Sequence, residues 1–256
     1  MPRPVRWGLK VLVFLAILLA GPLFMVACSN LNSDISWRDA DRSSAGLAPP
    51  ADEAPQAMVQ VYGARAFSWR GYFAIHTWIA TKPNGAASYT VHEVTGWGAN
   101  KVRSYPSLPD RAWYGSPPVL LASISGEAAS DLIPRIEQAI ASYPYPRTYD
   151  AWPGPNSNTF VAWIIRQVPG FEVNLPNTAI GKDYLGDGYL AETPAGAGYQ
   201  LSVGGYIGLL AGIQEGLEIN VLGLSLGIDP RHLAIKLPGI GSLGLLDPWP
   251  QPLPSP

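Results

Sequence analysis

Glycine and proline interrupt this chain at short intervals, and their frequency limits which folds it can adopt. The 256 residues include 27 glycines and 26 prolines, together about a fifth of the sequence. That share lies just below the roughly 25–30% at which composition indicates a disordered chain. Because both residues interrupt helices and central strands, the sequence predicts a folded but loop-rich protein.

The rest of the composition predicts one ordinary globular domain behind a targeting segment. Hydrophobic residues make up 47% of the chain and charged residues 14%, against about 25% charged residues in typical proteins. The formal net charge is −2, so no basic surface is available for a phosphate backbone. The chain can therefore bury a core, and nucleic acid is not an expected partner.

The N-terminus has the layout of an export signal. Basic residues precede the apolar run 11–20, and a second apolar stretch ends at Cys28, the only cysteine. Cys28 lies where a bacterial lipoprotein signal carries its lipidated cysteine, although Met25 is atypical three residues before it. Residues 1–28 are thus predicted to be a lipoprotein signal, with an ordinary cleaved signal or an uncleaved membrane anchor as alternatives.

The upstream basic residues favour a cytoplasmic N-terminus, which sends the rest of the chain outward. The prediction is a membrane-anchored protein of the cell envelope, on the periplasmic side, whose substrate there is unknown. With one cysteine, the exported part has no intramolecular disulfide and is stabilised by packing. Three histidines without an H-E-x-x-H or C-x-x-C motif predict neither a metal site nor a cofactor.

Residues 29–57 are polar and proline-rich and are predicted to be a flexible tether, and residues 58–256 a single globular domain. Within that domain, the runs 72–81 and 88–96 are rich in β-branched and aromatic residues and flank Lys82-Pro83-Asn84-Gly85. This pattern predicts a β-hairpin. Strand alternation then places Ile75, Thr77 and Ile79 on one face and His76, Trp78 and Ala80 on the other.

Two helices are predicted, over 125–142 and over 157–168, from apolar residues at helical spacing. Residues 199–228 are apolar and glycine-spaced and are interpreted as buried strands and turns, with a partly membrane-facing hairpin as the alternative. The proline-rich tail 247–252 is unsuited to a helix or a central strand. The expected fold is α+β, an antiparallel sheet packed against a few helices, with a Gly/Pro-rich C-terminal part.

Two motifs match catalytic or nucleotide-binding patterns but lack the required context. Residues 223–227 spell G-x-S-x-G, yet no suitable helix, acid and histidine follow the serine. Residues 239–244 spell G-x-G-x-x-G, yet no helix remains to receive a phosphate. Both are interpreted as glycine-rich turns.

The segment Trp152–Val161 carries the most informative chemistry, because it places Ser157 at the first turn of a helix. Backbone amides at that position could stabilise an oxyanion. A serine nucleophile needs a base, for which His76 is the candidate, and His92 or Glu93 on the next strand could orient its ring. Asn156 and Asn158 are candidate binding residues, although Asn156 and Ser157 also fit a plain helix cap.

This order of residues is similar to the circularly permuted branch of the papain-like superfamily, which contains lecithin:retinol acyltransferase. That branch has N-C-x-x-F-V at a helix start, whereas this chain has Asn156-Ser157-Asn158-Thr159-Phe160-Val161. The resemblance implies acyl or amide chemistry, with serine in place of cysteine.

Over nearly the whole exported part the chain more closely resembles the bacterial family named domain of unknown function 3750. The resemblance is carried by residues 73–80, 93–98, 152–161, 179–184 and 216–218. It implies no established activity.

Further candidate binding residues are polar or aromatic. Lys182 and Asp183 lie between glycines in an expected loop, where polar residues are often functional, although a solvated turn with a local ion pair explains them equally well. Five tryptophans could line a groove for a sugar or an acyl chain or could fill a core: Trp69, Trp78, Trp97, Trp113 and Trp152.

Two functions follow from these patterns. The first is a hydrolase or acyl or amide transferase that acts on an envelope substrate, with Ser157 as nucleophile and His76 as base. The second is a membrane-tethered binding or structural module without chemistry.

Overall fold

The computed structural model describes residues 3–29, 31 and 35–246, and in that part of the chain it has three α-helices and two antiparallel sheets. The helices are Arg3–Cys28 (α1), Glu127–Ala141 (α2) and Ser157–Gln167 (α3). The first sheet has the order β4-β3-β2-β1-β5 and comprises Met58–Arg65 (β1), Ile75–Lys82 (β2), Thr90–Val94 (β3), Val102–Pro106 (β4) and Pro118–Ser125 (β5). The predicted α+β class is confirmed.

The second sheet is a meander in which each strand pairs with the next. It comprises Leu190–Glu192 (β6), Gly198–Val203 (β7), Ile207–Gly212 (β8), Gly216–Val221 (β9), Leu224–Asp229 (β10), Ala234–Leu237 (β11) and Gly241–Gly244 (β12). The motif residues 223–227 and 239–244 fall in turns and strands of this sheet. The tail 247–252 lies outside the described residues.

Strands β2 and β3 form the predicted hairpin around Lys82-Pro83-Asn84-Gly85. Strand β2 begins at Ile75 because Ser68–Tyr72 forms a short 3₁₀ helix. Its side chains alternate as predicted, with Ile75 and Ile79 in one hydrophobic cluster and Trp78 and Ala80 in the cluster on the other face. The alternation therefore fixes which side of the sheet His76 occupies.

Both predicted helices form and cover one face of the first sheet. Their apolar stripes are buried in the same cluster as Ile75 and Ile79, with Leu132, Ile133 and Ile136 from α2 and Phe160, Val161 and Ile164 from α3. Helix α3 packs on β2 and β3. This packing brings the N-terminus of α3 to the strand that carries His76.

Much of the segment predicted as a tether, 29–57, lies against the domain. The Asp110 carboxylate accepts hydrogen bonds from the Ser44 hydroxyl at 2.8 Å and from the Leu47 amide at 2.6 Å. Ala54 and Ala57 are buried. Residues 44–57 are thus a strap, held to the domain by partly buried hydrogen bonds to the Asp110 carboxylate.

The stretch 199–228 forms strands β7–β10 as predicted, but the expectation that its apolar side chains are buried is wrong. Leu209 is 56% and Ile219 55% exposed, whereas the alternate residues Gln200, Glu218 and Asn220 are buried. The polar residues face inward because they find hydrogen-bond and ionic partners there, and the period of two then turns the apolar residues outward.

Helix α1 touches the domain near its C-terminal end. Leu18, Gly21 and Pro22 are buried, and a Cβ atom on Gly21 would collide with the carbonyl oxygen of Pro238 in the turn between β11 and β12. The rest of α1 is mostly exposed and apolar. A helix of this length and hydropathy can cross a bilayer, and a signal sequence passes the same test.

Candidate functional site

A cavity of about 560 Å³ lies between the two sheets, beside the N-terminus of α3. Strand β2 contributes Ile75 and His76, α3 contributes Ser157 and Asn158, and the turn between β9 and β10 contributes Leu222. Most of the remaining lining is aromatic or aliphatic, including Phe67, Trp69, Phe73, Trp97, Trp113, Tyr149 and Trp152. His76 and Ser157 thus face one largely apolar cavity, although they are far apart in sequence.

His76 is held by a hydrogen bond and by a stacking contact. Its Nε2 lies 3.1 Å from Oε2 of Glu93, and its ring stacks on Trp113 with centroids 3.5 Å apart. Burial lowers the pKa of His76 below its ordinary value, and this effect outweighs the opposite influence of Glu93. The imidazole is therefore neutral near pH 7 and able to accept a proton.

Glu93 is the centre of a buried network. Besides His76, its carboxylate accepts hydrogen bonds from the Tyr105 hydroxyl at 2.5 Å and from the Arg111 guanidinium at 3.0 Å. Burial by itself raises the pKa of Glu93, but the His76 contact, the Arg111 charge and the Tyr105 hydrogen bond together lower it to about 2. An ionised carboxylate only accepts hydrogen bonds, so Nε2 of His76 carries the proton and Nδ1 is left with its lone pair.

Of the two candidate orienting residues, Glu93 contacts His76 and His92 does not. His92 lies on the opposite side of the strand, where Nε2 is 2.9 Å from Thr81 Oγ1 and Nδ1 is 2.8 Å from Ser104 Oγ. Burial lowers its pKa to about 4. Because adjacent residues of a strand point to opposite faces, His92 is a packing histidine beneath the helices.

Ser157 is the first residue of α3, and the residue that caps the helix is Asn156. Asn156 Oδ1 accepts the amides of Asn158 at 2.9 Å and Thr159 at 3.2 Å. The amide of Phe160 bonds to the Asn156 carbonyl. The expectation that several first-turn amides are available to an oxyanion is therefore corrected, and the amide of Ser157 is the one these bonds leave over. In the described part of the chain, no hydrogen bond joins Ser157 Oγ to His76.

Asn156 and Asn158 hold the site together, and their polar atoms are occupied by the protein itself. Asn156 Nδ2 donates to the Ile180 carbonyl at 3.0 Å. Asn158 Nδ2 donates to the carbonyls of Ile75 and Ile180 at 2.9 and 2.7 Å, and its Oδ1 accepts from Thr77 at 2.9 Å. Asn158 ties α3 to β2, which positions Ser157 relative to His76, and both asparagines tie α3 to the Ile180 carbonyl.

Four of the five candidate groove tryptophans line the cavity: Trp69, Trp97, Trp113 and Trp152. Trp78 does not, because it is buried in the core, stacks on Tyr62 and donates to the Pro109 carbonyl at 2.7 Å. Trp152 is 49% exposed and donates to the Leu222 carbonyl at 2.8 Å. Trp152 therefore joins the cavity wall to the second sheet.

Lys182 and Asp183 lie away from the cavity lining, in a buried ionic cluster. Lys182 Nζ is 3.3 Å from Asp183 Oδ1 and 2.7 Å from Glu218 Oε2, and Lys236 Nζ is 2.6 Å from Glu218 Oε1. Both carboxylates raise the pKa of Lys182 although burial lowers it. The predicted ion pair between Lys182 and Asp183 is present, but both residues are buried and not in a solvated turn. Because Lys182 also contacts Glu218 of β9, this cluster joins the second sheet to the rest of the molecule.

Arg111 and Tyr105 are contacts of the site that sequence reasoning did not identify. Tyr105 lies in β4 and Arg111 in the loop that follows it, and neither belongs to a motif with recognisable spacing. Arg111 stands within 5.4–5.9 Å of the rings of Trp78, Trp113 and Tyr105. Aromatic residues follow Arg111 at positions 113 and 114, but no spacing in the sequence links Arg111 to His76.

Searches of curated proteins and of solved structures find no match to this chain. A family model described as protein of unknown function, DUF3750, matches residues 56–184. The matched range holds His76, Glu93 and Ser157 and ends before the second sheet begins. Since the match covers half of the chain, the protein belongs to the DUF3750 family.

Proposed function

We propose that this protein is a membrane-anchored hydrolase or acyltransferase in which Ser157 is the nucleophile, His76 the base and Glu93 the group that orients the base. The observation that carries the proposal is the contact between His76 Nε2 and Glu93, with the same imidazole and Ser157 lining one cavity. The similarity to permuted papain-like proteins remains a prediction.

The proposed reaction uses the imidazole twice. Ser157 Oγ attacks the carbonyl carbon of an ester or amide while its proton passes to Nδ1 of His76. When the tetrahedral intermediate collapses, the bond to the leaving group breaks, the acyl group stays on Ser157, and the imidazolium returns its proton to the leaving group. Water, or an acceptor alcohol or amine, then releases the acyl group by the reverse steps.

Glu93 supports this cycle by its charge and by its position. The carboxylate accepts the Nε2 proton and stabilises the imidazolium that forms during the attack. Arg111 and Tyr105 hold the carboxylate in place. The amide of Ser157 is the proposed oxyanion donor, since helix N-termini favour negative charge.

The cavity lining favours an acyl substrate. Aromatic and aliphatic side chains dominate the wall, and the polar lining residues include Arg70, His76, Asn156, Ser157 and Asn158. A cavity of this size fits a small apolar ligand, since ligand sites commonly measure ~300–1,000 Å³. We therefore place the scissile carbonyl between Ser157 and His76 and an acyl chain along the tryptophans.

The test is covalent labelling of the full-length protein in mild detergent with a fluorophosphonate probe. We expect labelling that is lost in Ser157→Ala and strongly reduced in His76→Asn, whereas Ser142→Ala, on the exposed end of α2, labels like the wild type. Absence of labelling in a folded wild-type protein, or labelling that survives Ser157→Ala, overturns the proposal.

A second candidate function is the binding of an apolar ligand without chemistry. It is favoured by the missing hydrogen bond between Ser157 and His76 and by the capping bonds that occupy most first-turn amides. Under this function Ser157→Ala leaves the cellular role intact at unchanged protein level, whereas Trp152→Ala, which opens the cavity wall, impairs it.

A further inference from the structure

The second sheet presents a continuous apolar surface to solvent, here called the outer face. Cross-strand partners extend it from strand to strand, as in the row Tyr199, Ala211, Leu217, Ile228, Ile235 and Leu243 and in the row Leu190, Leu201, Leu209, Ile219 and Leu226. Within the described strands β7–β12, no charged side chain belongs to the outer face. In the edge strand β6, Glu192 pairs with Tyr199 and adds one exposed carboxylate at the margin of the face.

This arrangement is the reverse of an ordinary antiparallel sheet, which turns its polar side to water. The inner face carries Glu218, Asn220 and Lys236, all buried and paired. The partners of these residues therefore hold the polar side inward. Turning the apolar side inward instead would break the hydrogen bonds and ion pairs of Glu218, Asn220 and Lys236. Contiguous apolar patches of this kind mark sites of interaction with a protein or a membrane.

Helix α1 brings the outer face to a bilayer. The turn between β11 and β12 contacts α1 at Gly21 and Pro22, and only about 9 Å of helix separates Pro22 from Cys28. If α1 spans a hydrocarbon core of ~30 Å with Cys28 at the outer boundary, that turn lies about 9 Å inside the boundary. One edge of the sheet then enters the outer leaflet.

Aromatic and aliphatic residues continue the apolar surface toward the cavity. Tyr206, Leu222, Trp152 and Trp69 are each between 43% and 57% exposed, and the last three of them line the cavity. Tyrosine and tryptophan are the residues enriched at membrane interfaces. The backbone of the sheet is hydrogen-bonded from strand to strand, so only its edges lose hydrogen bonds to water on contact with lipid.

We infer that the outer face of the second sheet is a membrane-docking surface that lies on the lipid bilayer in which α1 is inserted. The chemistry recognised is the hydrocarbon and interfacial region of the lipid. Docking orients the cavity beside the membrane, and it does not depend on any reaction at Ser157.

The test uses full-length protein reconstituted into phosphatidylcholine vesicles, in a Cys28→Ser background that leaves the introduced thiol as the only one. The environment-sensitive fluorophore NBD is attached to Leu209→Cys, Ile219→Cys or Ile235→Cys. The control is Gln138→Cys, an exposed position on α2. We expect a blue-shifted emission and at least several-fold stronger quenching by acyl-chain nitroxide lipids at the three sheet positions than at the control.

Other occupants give different outcomes, and each of them overturns the inference. If iodide in the aqueous phase quenches the sheet positions as it quenches position 138, the outer face is exposed to water. If neither iodide nor the nitroxide lipids quench them, a second copy or the C-terminal tail covers the face. Near-ultraviolet circular dichroism of each labelled protein checks the fold. If the nitroxide lipids quench the sheet positions while the fluorophosphonate probe fails to label Ser157, the membrane-docking inference holds and the proposed enzyme function does not.

Discussion

The Glu93 carboxylate orients His76 through a hydrogen bond to Nε2. The substitution Glu93→Gln removes its charge and tests whether the proposed reaction needs that charge. In Glu93→Gln the amide cannot stabilise an imidazolium, and it leaves Arg111 without its ionic partner. We expect the fluorophosphonate labelling rate at Ser157 to fall at least about tenfold, since removal of an orienting carboxylate lowers catalysis strongly. Glu137→Gln, on the exposed face of α2, is the matched control. Equal rates in Glu93→Gln and in wild type would exclude a role for the carboxylate.

The buried imidazole of His92 predicts a pH dependence of stability that is unrelated to any reaction. Its pKa is about 4 in the folded protein and ~6.5 in an unfolded chain, so below pH 6.5 the unfolded state binds more protons. Stability is thus complete above pH 6.5 and is lost as the pH falls toward 4, by about 2.5 kcal/mol at pH 4.5. We expect His92→Gln to lose less stability than wild type between pH 7 and 4.5 in thermal unfolding. An unchanged pH dependence in His92→Gln would mean that burial does not lower the pKa of His92 in the folded protein.

At the scale of elements, two neighbouring residues at the start of α3 have different roles: Asn156 stabilises the helix, and Ser157 is the proposed nucleophile. Asn156 caps the helix and Ser157 does not, so the two alanine variants separate structure from function. We expect Asn156→Ala to lower the free energy of unfolding by about 2 kcal/mol, since the cap and its other hydrogen bonds are lost. Ser157→Ala should leave stability within about 0.5 kcal/mol, because alanine favours helices. Urea unfolding in detergent measures both, and a large loss in Ser157→Ala alone would assign the structural role to Ser157.

The hairpin and α3 were predictable because local signals determine them. A proline and a glycine set the turn at Lys82-Pro83-Asn84-Gly85, and apolar spacing sets both helices. The contact between His76 and Glu93 followed from strand pairing, but the choice of Glu93 over His92 required the register, which places the two residues on opposite faces. Tertiary packing alone places Arg111 beside Glu93, so no spacing in the sequence predicts this contact.

The orientation of the second sheet could not be predicted from its period. Alternation separates Leu217 and Ile219 from Glu218, yet it does not say which set faces inward. The apolar set was expected inside because antiparallel sheets usually turn their apolar side chains toward the core. The inner position of Glu218 depends on Lys182 and Lys236, which come from other parts of the chain.

For the whole molecule, the ionic cluster around Glu218 determines whether the second sheet stays attached to the DUF3750 region. Glu218 pairs with two buried lysines, and Glu218→Gln leaves both cations without that charge. Loss of one partner of a buried ion pair typically costs ~3–5 kcal/mol. We expect faster amide hydrogen exchange in β7–β11 and unchanged exchange in β1 and β2, since the first sheet has its own hydrophobic cluster. Glu127→Gln, exposed at the start of α2, is the control measured in parallel by mass spectrometry. Uniformly faster exchange throughout the protein would show instead that the two sheets unfold as one cooperative unit.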